Sequence, residues 1–284
     1  MIRIITDSTC DISKADAAAL GIDIVPLTVS FGHEEFLDGK NLSHEEFYNR
    51  LRECDELPVT SQPSPIVFED LFRKYVENSD VILGIFISSK LSGTFQSASI
   101  AAGVVMEEYS NAQIQLVDSK NVSLGTSLLI YEAVRMRDNG DSLEKIAAVC
   151  TDMASHVKLY AMAGSLKYLQ KGGRLSSSAA LVGSFLKITP VITIVDGAVE
   201  IACKARGRKS ASSYISKELE QASLVPSSTF FYGHADAEEF LNSFKSATKD
   251  FVQDIKPLTG SIGCIVGTHI GPGSFGIAYI ERTA

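Results

Sequence analysis

Near-continuous apolar runs constrain this chain more than any other feature. "VILGIFI" (81–87) and "IQLVD" (114–118) are the clearest, and "IRIIT" (2–6) and "IDIVPLTVSF" (22–31) also read as strands. A strand without a polar face has to be covered on both sides, which is the situation of parallel strands between helical layers. Amphipathic helical patterns lie between them, near 44–54, 65–77, 93–109 and 124–139. Strand–helix–strand order of this kind predicts a doubly wound, mostly parallel α/β sheet.

The pattern changes after about residue 155. "VITIVDGAVEIACKA" (191–205) reads as a hairpin around Asp196-Gly197, a strong two-residue turn signal. "STFFYGH" (228–234), "CIVGTHIG" (264–271) and "GIAYI" (276–280) are expected to be strands, with helices near 210–223 and 235–249. We therefore expect two domains, an α/β unit over 1–157 and an α+β unit over 158–284, a division that 284 residues comfortably allow. No low-complexity linker separates them, so a fixed interface with a ligand pocket is expected there.

Composition removes several functions. The formal net charge is −8, and the densest basic run, Lys204, Arg206, Arg208 and Lys209, is too short for a nucleic-acid footprint. It suffices for one phosphate or an acidic partner surface. The five cysteines are scattered, without zinc-ribbon spacing, and their odd number suits a reducing compartment. The chain opens on a strand, "MIRIITDST", so no signal peptide is expected. No apolar run reaches the roughly 20 residues of a membrane span, which makes a soluble cytoplasmic protein the expectation.

The chemistry-bearing residues are mostly neutral. Ser64 and Pro65 start a helix, and the hydroxyls of Thr60 and Ser61 stand just before it. In "ISSKLSGTFQSA", Ser92 is expected to cap a second helix, with Gly93 and Thr94 in its first turn. Two helix starts at the C-terminal rim of a parallel sheet would offer a carboxylate several uncharged donors. Asp7-Ser8 and Asp118-Ser119 each follow a strand, a position where such sheets bind ligands but also where Asp and Ser simply make turns. Gly271, Gly273 and Gly276 have GxGxxG spacing, yet a strand rather than a helix is expected after them, so the dinucleotide reading fails. His269 is left beside a Gly-Pro-Gly turn, at what reads as a strand end. There is no P-loop, HExxH or GxSxG. Asp7 and Ser8 are the best candidates for catalysis, without a base nearby in sequence.

Several stretches together resemble the DegV family: "IITDSTCDIS", "TSQPSP", "ISSKLSGTFQSA", "VDSKNVSLG", "LKYLQKGGRLS", "VDGAVEIACKARGRKSA" and "GTHIGPGSFGIAY", in order and across the whole chain. The resemblance implies two domains with a long-chain fatty acid buried between them, no cofactor and no metal. It further implies a non-catalytic subunit that presents the acid to a separate ATP-dependent fatty acid kinase subunit, which makes an acyl phosphate. By motif, the carboxylate contacts would be Thr60 or Ser61, then Ser92 with Gly93 and Thr94, with His269 near the head group. Arg174 in "GGR", together with Arg206 and Arg208 in "KARGRK", would serve the phosphate or the kinase encounter. Phe31, Leu166, Phe185 and Ile188 are candidates for the acyl tunnel wall. Thr189 and Ser210 depart from the family's usual lysine and basic run. The alternatives are a stand-alone hydrolase or phosphatase using Asp7 or Ser8, and a lipid sensor whose partner is not a kinase.

Overall fold

The computed structural model describes residues 1–175, 188–225, 228–253, 255 and 257–281. Strands β1 (Ile2–Asp7), β2 (Ile22–Val25), β6 (Val81–Phe86) and β7 (Ile114–Asp118) form a wholly parallel sheet in the order β2-β1-β6-β7. Helices α3 (Pro65–Glu77) and α4 (Thr94–Glu108) cover one face, packing Phe68, Phe72 and Val105 against Ile5 and Ile82. Helices α5 (Leu124–Asp138) and α6 (Leu143–Met153) cover the other, over Ile4, Leu83 and Ile85. This is the doubly wound arrangement that the apolar runs require.

The strand expected over 22–31 is instead two. Pro26 has no N–H to give a ladder, so the chain leaves the parallel sheet after Val25. It resumes as β3 (Thr28–Phe31), the centre of a small antiparallel sheet with β4 (Glu34–Leu37) and β5 (Val59–Ser61).

Residues from Val157 onward build a six-stranded sheet in the order β10-β9-β8-β13-β11-β12. Its strands are β8 (Val157–Met162), β9 (Thr189–Val195), β10 (Ala198–Ala205), β11 (Phe231–Ala235), β12 (Leu258–Ser261) and β13 (Ser274–Ile280). The β9–β10 hairpin turns on Asp196 (φ 47°) and Gly197 (φ 82°), as the Asp-Gly pair predicts. One sheet face carries Met162, Tyr232 and Ile277 under α8 (Arg208–Glu220) and α9 (Glu238–Thr248). The other carries Leu159, Ile192, Val199 and Ala278 into the core shared with α5.

"CIVGTHIG" is not a strand. It forms the short helix α10 (Cys264–Ile270), ended by Gly271 at φ 78°. A short apolar run bounded by glycines fits either element, and only its surroundings decide. Here those surroundings are α2 (His44–Glu53), β3 and β5 from the N-terminal half.

Asp7 joins the sheet ends. Its carboxylate accepts from the Thr9 N–H at 2.9 Å, the Thr9 hydroxyl, and the Ile87 N–H at 2.9 Å, bridging the ends of β1 and β6. Replacing Asp7 with Ala strands two buried N–H groups, so urea denaturation should show a loss of about 3 kcal/mol.

Candidate functional site

A cavity of about 360 Å³ lies between the six-stranded sheet, α5 and α10. Its tail end is apolar, walled by Leu124, Leu159, Ile192, Ile194, Val199 and Ile265. One row across the sheet beside it carries only small residues. Gly260 on β12 pairs with Gly233 on β11, Gly233 with Gly276 on β13, Gly276 with Ala161 on β8, and Ala161 with Ile192 on β9. Four neighbouring positions on one face thus carry a methyl group or nothing. The row has no slack: a Cβ on Gly233 would lie 2.6 Å from Leu124 Cδ1.

The other end is polar, and a ring of contacts assembles it. Thr60, on β5, places its Oγ1 2.9 Å from His269 Nε2 at the C-terminal end of α10. The other ring nitrogen faces Gly172, where a side chain would overlap it. Arg174, two residues on, donates from Nη1 to the Gly172 carbonyl at 2.6 Å and from Nε to the Leu91 carbonyl at 3.2 Å. Leu91 leads to Ser92, whose Oγ lies 2.9 Å from Thr94 Oγ1 and accepts from the Thr94 N–H at 3.3 Å. Gly93 admits the Gln62 amide, which a Cβ would displace, and Gln62 Nε2 donates to Ser97 Oγ at 3.2 Å. Gln62 stands two residues after Thr60, which closes the ring.

The helix after Ser92 therefore starts one residue later than expected: Gly93 is the N-cap and Ser92 lies outside it. Cap positions commonly differ by one, and here the hydroxyl remains on the cavity wall. Thr60, Ser61, Ser92, Arg174 and His269 all line the cavity, whereas Gly93 and Thr94 stand just behind it. Sequence reasoning missed Gln62, although it lies within "TSQPSP"; its role depends on Gly93, distant in the chain. It also missed Thr9 and Ser123, which line the cavity but are engaged with Asp7 and Asp11.

Other expected positions lie elsewhere. Phe31 on β3 meets Phe36 on β4 and Phe47 on α2 edge-on, which withdraws it from the cavity wall. Ile188 precedes β9 and is likewise not in the lining. Leu166 opens helix α7 (Leu166–Lys171), and its side chain, like all of Phe185, lies outside the described residues. Arg206 is exposed at the end of β10. Arg208 lies with its guanidinium 3.9 Å over the Phe240 ring. Neither lines the cavity. The Asp7–Ser8 pair offers no catalytic arrangement: Asp7 is fully buried with both oxygens engaged, and Ser8 Oγ accepts the Leu27 N–H at 3.1 Å. Among the described residues no group of three or more His, Cys, Asp or Glu could hold a metal ion, and no helix is long and apolar enough to cross a membrane.

The model of the DegV family, described as uncharacterised proteins, matches residues 1–282. This chain belongs to the DegV family. Among its DegV relatives, a domain-containing protein of Caldanaerobacter subterraneus subsp. tengcongensis is 33% identical over 282 residues, covering 99% of both chains. One from Clostridium perfringens is 34% identical over 286 residues, covering 99% of this chain and 97% of its own. Two solved structures share the whole architecture. The fatty-acid-binding DegV family protein of Thermus thermophilus has a TM-score of 0.89 at 29% identity, covering 99% of both chains. A stearic-acid-binding protein of Eubacterium ventriosum has a TM-score of 0.89 at 29% identity, covering 99% of this chain and 98% of its own.

The electrostatics of this DegV chain's polar end are unusual in one respect. Burial, then the Arg174 charge, pull the His269 imidazole down to about 4. The ring is neutral at physiological pH, and Nδ1 has no hydrogen-bond partner among the described residues. The unfolded histidine titrates near 6.5, so the folded protein resists a proton that the unfolded chain accepts. The His269 contribution to stability is therefore fully present above about pH 6.5 and is lost as pH drops from there towards 4. An NMR titration of the ligand-free protein should give a His269 midpoint near 4. A midpoint near the ordinary 6.5 would mean that the ring is hydrated.

Proposed function

We propose that this protein is a cytoplasmic carrier that holds a long-chain fatty acid in the cavity and presents its carboxylate to a separate ATP-dependent kinase subunit. The observation that carries the reading is one apolar cavity ending in a ring whose donors, Arg174 aside, are uncharged, in a fold shared with fatty-acid-binding proteins. The tail lies along the glycine row. The carboxylate lies at Thr60, Ser61 and Ser92, with Gly93 and Thr94 supporting Ser92 and His269 behind Thr60. We also propose the domain division at 157/158, one residue into β8, with the acid held between the two domains.

The energetics divide the labour. Each buried methylene contributes roughly 0.8 kcal/mol, so a long acyl chain supplies on the order of 10 kcal/mol before ordering costs. A neutral hydrogen bond nets only about 1 kcal/mol. The tail provides affinity and the hydroxyls provide position. A neutral His269 that donates from Nε2 to Thr60 Oγ1 leaves the threonine proton free for the carboxylate. Neutral donors also leave the carboxylate nucleophilic, where a bidentate arginine would hold its lone pairs. In the transfer step a carboxylate oxygen attacks the γ-phosphorus of ATP, ADP leaves, and an acyl phosphate remains on the carrier. Arg174 at the cavity wall faces that developing charge. Arg206 and Arg208, exposed outside it, meet the kinase surface.

Organic extraction and mass spectrometry of the purified protein should recover one fatty acid per chain; folded protein without lipid would refute the carrier reading. Ser92→Ala should weaken fatty acid binding by roughly fivefold but lower acyl phosphate formation with the kinase subunit by about a hundredfold. Equal losses would mean that Ser92 only binds.

A further inference from the structure

Asp11 is a partly buried carboxyl that the proposed carrier function does not use, and it stands where two of the cavity-lining helices, α5 and α10, begin. Its Oδ1 accepts the Gly263 N–H at 2.8 Å, at the N-cap of α10. Its Oδ2 accepts the hydroxyl of Ser123, the N-cap residue of α5. Neither helix has a capping bond from its own N-cap side chain. The free N–H groups at a helix start need acceptors, and for α10 they come from the far half of the chain. Beside Asp11, Asp38 Oδ1 accepts the Cys264 N–H at 3.2 Å, and the Tyr48 hydroxyl donates to the Ile262 carbonyl at 3.0 Å. The fit at 263 is tight. A Cβ there would lie 3.0 Å from Asp11 Oδ1, 3.3 Å from His44 Nε2 and 3.4 Å from Asp38 Oδ1.

We propose that Asp11 is a positioning residue, one carboxyl that fixes the starts of α5 and α10 together and thereby sets where His269 stands against Thr60. The lever is short. From Gly263 to His269 is six residues of helix, about 9 Å along the axis, so a displaced N-terminus moves the ring. The Asp11 backbone supports the reading. It sits at φ 56°, ψ 22°, a left-handed conformation that Asp and Asn tolerate better than other side chains. Non-glycine residues kept there tend to mark functional constraint. Burial also pushes the carboxyl well above its ordinary range. An amide at this position keeps the acceptor for the Gly263 N–H and can meet Ser123 Oγ as a donor.

The test uses lipid-free full-length protein, so it holds whether or not the cavity carries a fatty acid. Asp11→Gly keeps the left-handed backbone and removes the carboxyl. We expect the His269 titration midpoint to rise from about 4 towards 6.5, with the ring resonances shifting as the Thr60 contact loosens. Asp11→Asn, which retains the Gly263 acceptor, should restore both. Phe72→Leu, on the buried face of α3, lowers stability without touching this linkage and should leave the midpoint unchanged. If Asp11→Gly does not fold, Ser123→Ala removes one of the two bonds and should shift the midpoint in the same direction by less. An unmoved midpoint in both variants, or an equal shift in Phe72→Leu, would overturn the inference. A second readout rests on the carrier reading: release of bound cis-parinaric acid should be roughly tenfold faster in Asp11→Gly. No binding of this probe by the wild type, together with the His269 shift, would sink the carrier reading and leave Asp11's role standing.

Discussion

Three glycines in register on neighbouring strands leave the inner face of the six-stranded sheet without side chains near its centre. Most of what surrounds the site follows from that gap. Protein interiors are close-packed, and an apolar void of about 360 Å³ would cost on the order of 9 kcal/mol at the usual price per volume. Such a space persists only where the walls cannot collapse. The walls here are held by polar ties: Asp7 across the parallel strand ends, Ser88 donating at 2.7 Å to the Gly197 carbonyl at the hairpin tip, and Asp11 between two helix starts. A ligand that filled the gap with apolar surface would recover much of the deficit, which is why the proposed occupant has a long hydrocarbon tail.

The polar end obeys a second constraint. It gathers residues from β5, the start of α4, the turn after α7 and the end of α10, and its only full charge among the described residues is Arg174. That guanidinium is turned onto backbone carbonyls, and its charge helps keep His269 neutral. Neutral donors on rigid elements orient a carboxylate without quenching it. The position agrees with a general property of open parallel sheets, whose ligands collect beyond the carboxyl ends of the strands. Thr9, Ile87 and Ser92 come from that rim.

Much of this was legible in the residues. The continuous apolar runs imposed the doubly wound layer, Asp196-Gly197 the hairpin, and Ser64-Pro65 the start of α3. Failures came where long-range packing outweighs local pattern. Pro26 redirected one expected strand into two sheets. "CIVGTHI" forms a helix that packs on α2 and has Asp11 and Asp38 as acceptors at its start, which also moves His269 from a strand end to a helix end. Phe31, a candidate wall residue by sequence, packs instead against two aromatic partners. Gln62 was hidden because its place depends on Gly93, thirty-one residues away.

By itself, the sequence determined the layers, the turns and the inventory of hydroxyls, because apolar periodicity and turn chemistry act over a few residues. Only the tertiary structure decided that Gly260, Gly233, Gly276 and Ala161 fall in one row, that Thr60 meets His269 across 209 positions, and that Asp7 is a strut rather than a catalyst. The physical reason is common to all three. Strand register and burial belong to the whole packed chain, and they determine whether a glycine is a turn or a cavity and whether a carboxylate is solvated or spent on backbone N–H groups.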